Sequence, residues 1–127
     1  DMEHGGNVCG QIVLKDSTTY FEVYNNEKLY DIPSLGDNVY LEISYKCDDV
    51  MTVGIYAYYD YGSNIVQTPI MRCNPTDEWK KVYVYMTNTI ANYFSADSFR
   101  IYLSGGSIAE ETTERKEFYI DNLKLLY

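Results

Sequence analysis

The chain has 127 residues, 15 of them tyrosine, with one tryptophan, one histidine and a formal net charge of −9. Its 46% hydrophobic content excludes a disordered chain, and its length allows a core without disulfide or metal staples. Nineteen acidic against ten basic residues exclude a non-specific nucleic-acid binder, which needs cations at phosphate; the lone His4 argues against a multi-histidine zinc site or a histidine-based triad.

In chain order, two-residue alternation dominates. Short strands are predicted at 8–14 and 19–24, followed by a loop over 25–38. In the next segment Val39, Leu41 and Ile43 face one way and Tyr40, Glu42 and Ser44 the other, the pattern of a half-buried strand. Met51, Val53, Ile55 and Ala57 then alternate with Thr52, Gly54, Tyr56 and Tyr58. Cys47-Asp48-Asp49 between them is a turn signal, so these two strands are expected to form a hairpin. A loop at 60–64 leads to a strand at 65–72, where Pro69 points to an edge position because proline has no N–H to give a ladder. After a turn at 74–77, Val82, Val84 and Met86 alternate with Lys81, Tyr83 and Tyr85. Helical spacing occurs only at 88–94, about two turns. Phe99, Ile101 and Leu103 alternate with Arg100 and Tyr102, and an acidic loop follows at 105–116. Phe118 and Ile120 continue as Leu123 and Leu125, shifted by one residue, which requires a bulge at Asp121-Asn122. About eight strands without a linker or repeat imply one all-β domain over 1–127, a sandwich or a barrel.

Cys9, Cys47 and Cys73 allow at most one disulfide within the chain, and all three pairings stay open. Small buried thiols are the plainer reading. No stretch approaches the roughly 20 apolar residues of a membrane span. The chain opens on Asp1, not Met, so it is expected to be a trimmed or processed segment whose targeting signal was removed.

Three segments carry a resemblance. Phe118-Tyr119-Ile120-Asp121-Asn122-Leu123-Lys124-Leu125 resembles the closing strand of galactose-binding-like jelly-roll domains, many of them carbohydrate-binding modules. The run Glu78-Trp79-Lys80-Lys81-Val82-Tyr83-Val84-Tyr85-Met86-Thr87 is similar to their tryptophan-led strand, and Ser98-Phe99-Arg100-Ile101-Tyr102-Leu103 to the strand between the two. The segment around Asp48 is also similar to uncharacterised surface lipoproteins of gut Bacteroidetes. The resemblance covers 39–127. It implies an eight-stranded antiparallel jelly-roll β-sandwich with strand orders 1-8-3-6 and 2-7-4-5, a glycan partner, no catalysis, and an extracytoplasmic place, secreted or lipid-anchored at the outer surface. Fold does not fix function, so a protein-interaction or adhesion domain stays open as the alternative.

With that strand order, alternation puts Tyr20, Glu22, Tyr24, Tyr56, Tyr58, Arg100 and Tyr102 outside the 2-7-4-5 sheet. Tyr40, Glu42, Tyr83, Tyr85 and Tyr119 fall outside the other. The candidate ligand-binding residues are Tyr56, Tyr58, Tyr102, Arg100 and Tyr24. A tyrosine ring can stack on the C–H face of a sugar while its hydroxyl bonds the rim, and Arg100 adds forked donors. The plainer alternative is that these tyrosines only stabilise a wet sheet face. Trp79 reads more simply as closing one end of the core than as a stacking residue. The resemblance implies that Asp121 can join a structural calcium site. No compact Asp-x-Asp-x-Asp loop supplies the six to eight oxygens calcium takes, so a bond from Asp121 to nearby backbone is the favoured reading, and no other cofactor is expected. Paired carboxylates could cleave a glycosidic bond, but among 19 acids no spacing selects a pair, and a small hydrolase is left as the least favoured class.

Overall fold

The alternating apolar residues find one another between two antiparallel sheets. A computed structural model of the chain describes residues 2–4, 7–30, 32 and 37–127, with the backbone alone for 2–4 and 7–9. The His4 and Cys9 side chains and Gly5-Gly6 therefore lie outside the described residues. The strands are β1 (Met2–His4), β2 (Asn7–Asp16), β3 (Tyr20–Tyr24), β4 (Tyr40–Cys47), β5 (Met51–Tyr59), β6 (Asn64–Cys73), β7 (Thr76–Tyr85), β8 (Ser98–Gly106) and β9 (Thr113–Leu126). One sheet has the order β1-β2-β9-β4-β7 and the other β3-β8-β5-β6. Without β1, a three-residue strand that alternation does not reveal, these are the orders the resemblance implies.

Val39, Leu41 and Ile43 from one sheet, and Met51, Val53, Ile55 and Ala57 from the other, are fully shielded between the layers. Phe21 of β3 and Phe118 of β9 meet across the gap, ring centroids 4.8 Å apart at 61°. Gly105 makes room for both: a Cβ there would lie 2.6 Å from Phe21 Cε1 and 3.0 Å from Phe118 Cε2. The predicted helical segment is α1 (Thr87–Asn92), with Ile90 buried in the core.

One local expectation fails. The Cys47-Asp48-Asp49 turn does not close a hairpin: β4 pairs with β7 and β9, whereas β5 pairs with β6 and β8. The turn carries the chain from one sheet to the other. A turn signal marks where a strand ends and says nothing about which sheet the next one joins. The hairpin is instead β5–β6, closed by a 3-10 turn at Asp60–Gly62. Pro69 lies as expected on an edge strand, β6. The bulge is also where the shifted apolar residues require it. Ser44 faces Asp121 and Glu42 faces Lys124, Asn122 has φ 52°, and Asp121 Oδ1 accepts the Asn122 N–H at 2.8 Å. Cys47 and Cys73 are buried free thiols. Burial holds the Cys73 thiol up at about 11 and raises Cys47 as well, which leaves little reactive thiolate at neutral pH. No helix among the described residues is long and apolar enough to cross a membrane.

Candidate functional site

All five residues singled out from the sequence meet on the outer face of the β3-β8-β5-β6 sheet. Tyr24 lies across from Tyr102 in the β3–β8 ladder, and Arg100 across from Tyr56 in the β5–β8 ladder. The Tyr56 ring is the hub. Its centroid lies 5.2 Å from Tyr102, 6.3 Å from Tyr58 and 6.0 Å from Tyr24, the last edge-to-face at 87°. Such tilted and edge-on contacts are the favourable ones between aromatic quadrupoles.

The five residues are not equally open. Tyr58 is 6% exposed and Tyr102 3%, while Tyr24 is 52% exposed. Tyr102 sinks because Gly54 below it has no side chain: a Cβ there would lie 2.7 Å from Tyr102 Cζ, and closer still to its Cε2 and to the Thr68 carbonyl oxygen. Tyr58 is covered by cations. The Lys28 ammonium sits 4.4 Å from its ring centroid, and the Arg100 guanidinium 5.6 Å from it and 5.2 Å from that of Tyr24. Arg100 also donates to the Tyr58 hydroxyl at 3.4 Å and to the Asn26 carbonyl at 3.1 Å. The layer thus has a floor, Tyr58 and Tyr102, and an upper tier, Tyr24, Tyr56 and Arg100.

A carboxylate organises the tier. Glu22 accepts hydrogen bonds from Tyr20 at 3.1 Å, from Gln67 at 2.9 Å and from the Tyr56 hydroxyl. The Tyr56 bond is the main reason the Glu22 carboxyl is held below its ordinary value, with Gln67 and Tyr20 adding and burial opposing. The Tyr56 hydroxyl is pushed up, first by burial and then by that bond, and Tyr20 and Tyr102 are raised chiefly by burial. Alternation puts Glu22 on this face, but its role as the hub of three hydrogen bonds depends on cross-strand neighbours. Gln67 has no distinguishing signal in a strand of mixed polarity.

A pH prediction follows. A carboxyl whose folded pKa is depressed stabilises the fold above its unfolded pKa, about 4.3 for Glu and 3.9 for Asp, and that gain is lost as pH falls through the folded value. Asp49, held down chiefly by the 2.8 Å Lys116 ion pair, acts in the same sense as Glu22. The thermal midpoint is expected to drop as pH falls below about 5, and Glu22→Gln is expected to show a shallower drop. Parallel pH curves for the two proteins would remove Glu22 from this account.

Other features are less concentrated. Asp121 lines a crevice of about 590 Å³ between the sheets, whose apolar walls include Ile12, Val23, Leu103 and Ile120. Alternation cannot foresee such a gap, because it depends on how far apart the sheet edges stand. Among the described residues no group of three His, Cys, Asp or Glu side chains is placed to hold a metal ion. Trp79 departs from expectation: it is 47% exposed on the outer face of β7 and does not close the core. It shares the outward side of β7 with Tyr83 and Tyr85, away from the partner sheet, and its ring lies against Tyr119 instead.

The chain matches no protein-family model and no curated protein sequence. Solved structures do match. A carbohydrate-binding module of the β-sandwich superfamily aligns with TM-score 0.54 and 6% identity, over 94% of this chain and 54% of that one. This chain thus spans about half of that structure's length. A family 4 carbohydrate-binding module (CBM4) aligns with TM-score 0.53 and 14% identity, over 96% of this chain and 84% of that one. Topology and comparison agree: the chain has the jelly-roll β-sandwich fold that carbohydrate-binding modules also use.

Proposed function

We propose that this is a non-catalytic carbohydrate-binding domain of an extracytoplasmic protein, holding a neutral or cationic glycan on the outer face of the β3-β8-β5-β6 sheet. One observation carries the reading: the open Tyr24 ring and the half-buried Tyr56 ring stand on a locked floor, beside the polar groups of Glu22, Gln67 and Arg100. Stacking surface and hydrogen-bond partners are thus fixed before a ligand arrives, so little ordering cost falls on binding. The like fold of two carbohydrate-binding modules supports this. The net charge of −9 disfavours polyanionic glycans by long-range repulsion.

The test is a glycan array followed by affinity electrophoresis, with Tyr24→Ala and Tyr56→Ala as the informative variants. Each is expected to weaken binding about tenfold, the effect of about 1.4 kcal/mol. Tyr102 is a poor probe because it is part of the floor. Retention on no polysaccharide, or retention untouched by both substitutions, would overturn the reading. One observation favours a protein partner as the second reading: Lys28, from the segment after β3, already covers the Tyr58 ring, which closes part of the face to a stacked sugar. Capture of a protein through Tyr24, with no glycan retained, would decide for it.

A further inference from the structure

The opposite face of the sandwich carries a second, more open set of aromatic residues. Trp79, Tyr83 and Tyr85 project from the same side of β7 and are 47%, 55% and 45% exposed. Tyr85 pairs with Tyr40 of β4 at a centroid distance of 5.4 Å. From Tyr85 to Trp79 the strand runs about 20 Å, at roughly 3.3 Å per residue.

The Trp79 end is the more developed. The Trp79 and Tyr119 ring centroids are 6.3 Å apart at 60°, and the Lys46 ammonium lies 5.0 Å from the Tyr119 centroid. Tyr119 is held in place by its own hydroxyl, which donates to Glu117 at 2.6 Å; Gln11 donates to both, at 2.9 Å to Glu117 and 3.1 Å to Tyr119. Beside these rings is a depression of about 170 Å³, lined by Lys46, Asp48, Thr76, Asp77, Glu117 and Tyr119.

We infer that this face is a second glycan-binding site, independent of the tyrosine layer, in which Trp79 and Tyr119 stack a neutral sugar whose hydroxyls enter the neighbouring depression. The chemistry selects the ligand. Three carboxylates, with the Lys46 ammonium and the Arg115 guanidinium 3.5 Å from Glu117, suit a group that both donates and accepts, which a sugar hydroxyl does and a phosphate does not. The three carboxylates repel anions. A protein interface is disfavoured because Lys46, Lys81 and Glu42 interrupt the aromatic residues, and interface centres are depleted in charge. A glycan can keep those charges hydrated while it stacks on the rings between them.

Trp79 is the single tryptophan, so its fluorescence reports this face alone. The experiment is a titration of the intact domain with cellohexaose, xylohexaose, mannohexaose and chitohexaose, following tryptophan emission, with hexalysine as a cationic control. At least one hexasaccharide is expected to change the emission saturably. Tyr24→Ala, on the other sheet, is expected to leave that titration unchanged. Tyr119→Ala, with its fold checked by circular dichroism, is expected to weaken it about tenfold. Calorimetry of Trp79→Ala with the responding sugar is expected to show binding lost without relying on emission, and binding retained by that variant would overturn the inference. No response to any hexasaccharide would overturn the inference. So would a response abolished by Tyr24→Ala, a response indifferent to Tyr119→Ala, or a response to hexalysine alone. Because the two faces share no residue, failure here leaves the tyrosine-layer reading standing, and the converse also holds.

Discussion

Phe118→Ala is expected to lower the free energy of unfolding by about 3–5 kcal/mol, a large part of the roughly 5–15 kcal/mol that holds a typical domain together. The ring is fully buried and reaches from β9 to Phe21 on the other sheet. Its loss removes apolar burial and opens a cavity that cannot collapse easily, because the backbones of both sheets are pinned by their ladders. Urea denaturation should show the midpoint falling with little change in slope, and the smaller Phe118→Leu should fall in between. A loss under about 1 kcal/mol for Phe118→Ala would mean that the two sheets repack freely, contrary to a tightly interlocked core.

Gly54→Ala is expected to do comparable damage by adding a single methyl group. The new Cβ would collide with the Thr68 carbonyl oxygen, which is backbone, and with the Tyr102 ring. Neither can yield cheaply: Thr68 is fixed in the β5–β6 ladder next to the irregular register at Pro69, and Tyr102 is wedged against Tyr56. Overpacking of this kind costs typically about 1–3 kcal/mol, and a backbone clash puts this site at the upper end. The effect should reach function, because lifting Tyr102 tilts the floor on which Tyr56 rests. Near-ultraviolet circular dichroism of the tyrosines should weaken along with glycan affinity. Gly10→Ala is the matched control: among the described residues its Cβ would meet the Ile120 carbonyl oxygen at an ordinary 3.8 Å. If the two alanine variants melt alike, Gly54 is not holding the space open.

Much of this could be read from residue order, and the exceptions share a cause. Alternation identified the shielded residues on β4 and β5, and the one-residue shift after Ile120 located the bulge, because both follow from the two-residue repeat of a strand. The hairpin expected at Asp48 failed because turn chemistry is local while sheet membership is not. Alternation put the five candidate residues on one sheet face, where the structure also has them, but it assigns a side chain to a face and not to a depth. Tyr58 and Tyr102 point outward and are nevertheless covered, by Lys28 and Arg100 in one case and by neighbouring rings above Gly54 in the other. Trp79 shows the opposite error: a large apolar ring that two-residue alternation puts on the outer side of β7 with Tyr83 and Tyr85, away from the partner sheet. Glu22 became the centre of the layer only once β3, β5 and β6 were brought together.

The position of β9 bears on how the molecule comes into being. This strand lies between β2 and β4, and pairs Asp121 with Cys9 and with Ser44. During synthesis β2 and β4 both emerge long before the strand that joins them, and each waits with one side unsatisfied. Closing such distant contacts is slow, typically milliseconds to seconds for all-β domains. Removing β9 would therefore not trim the five-stranded sheet at its border; it would cut the sheet in two.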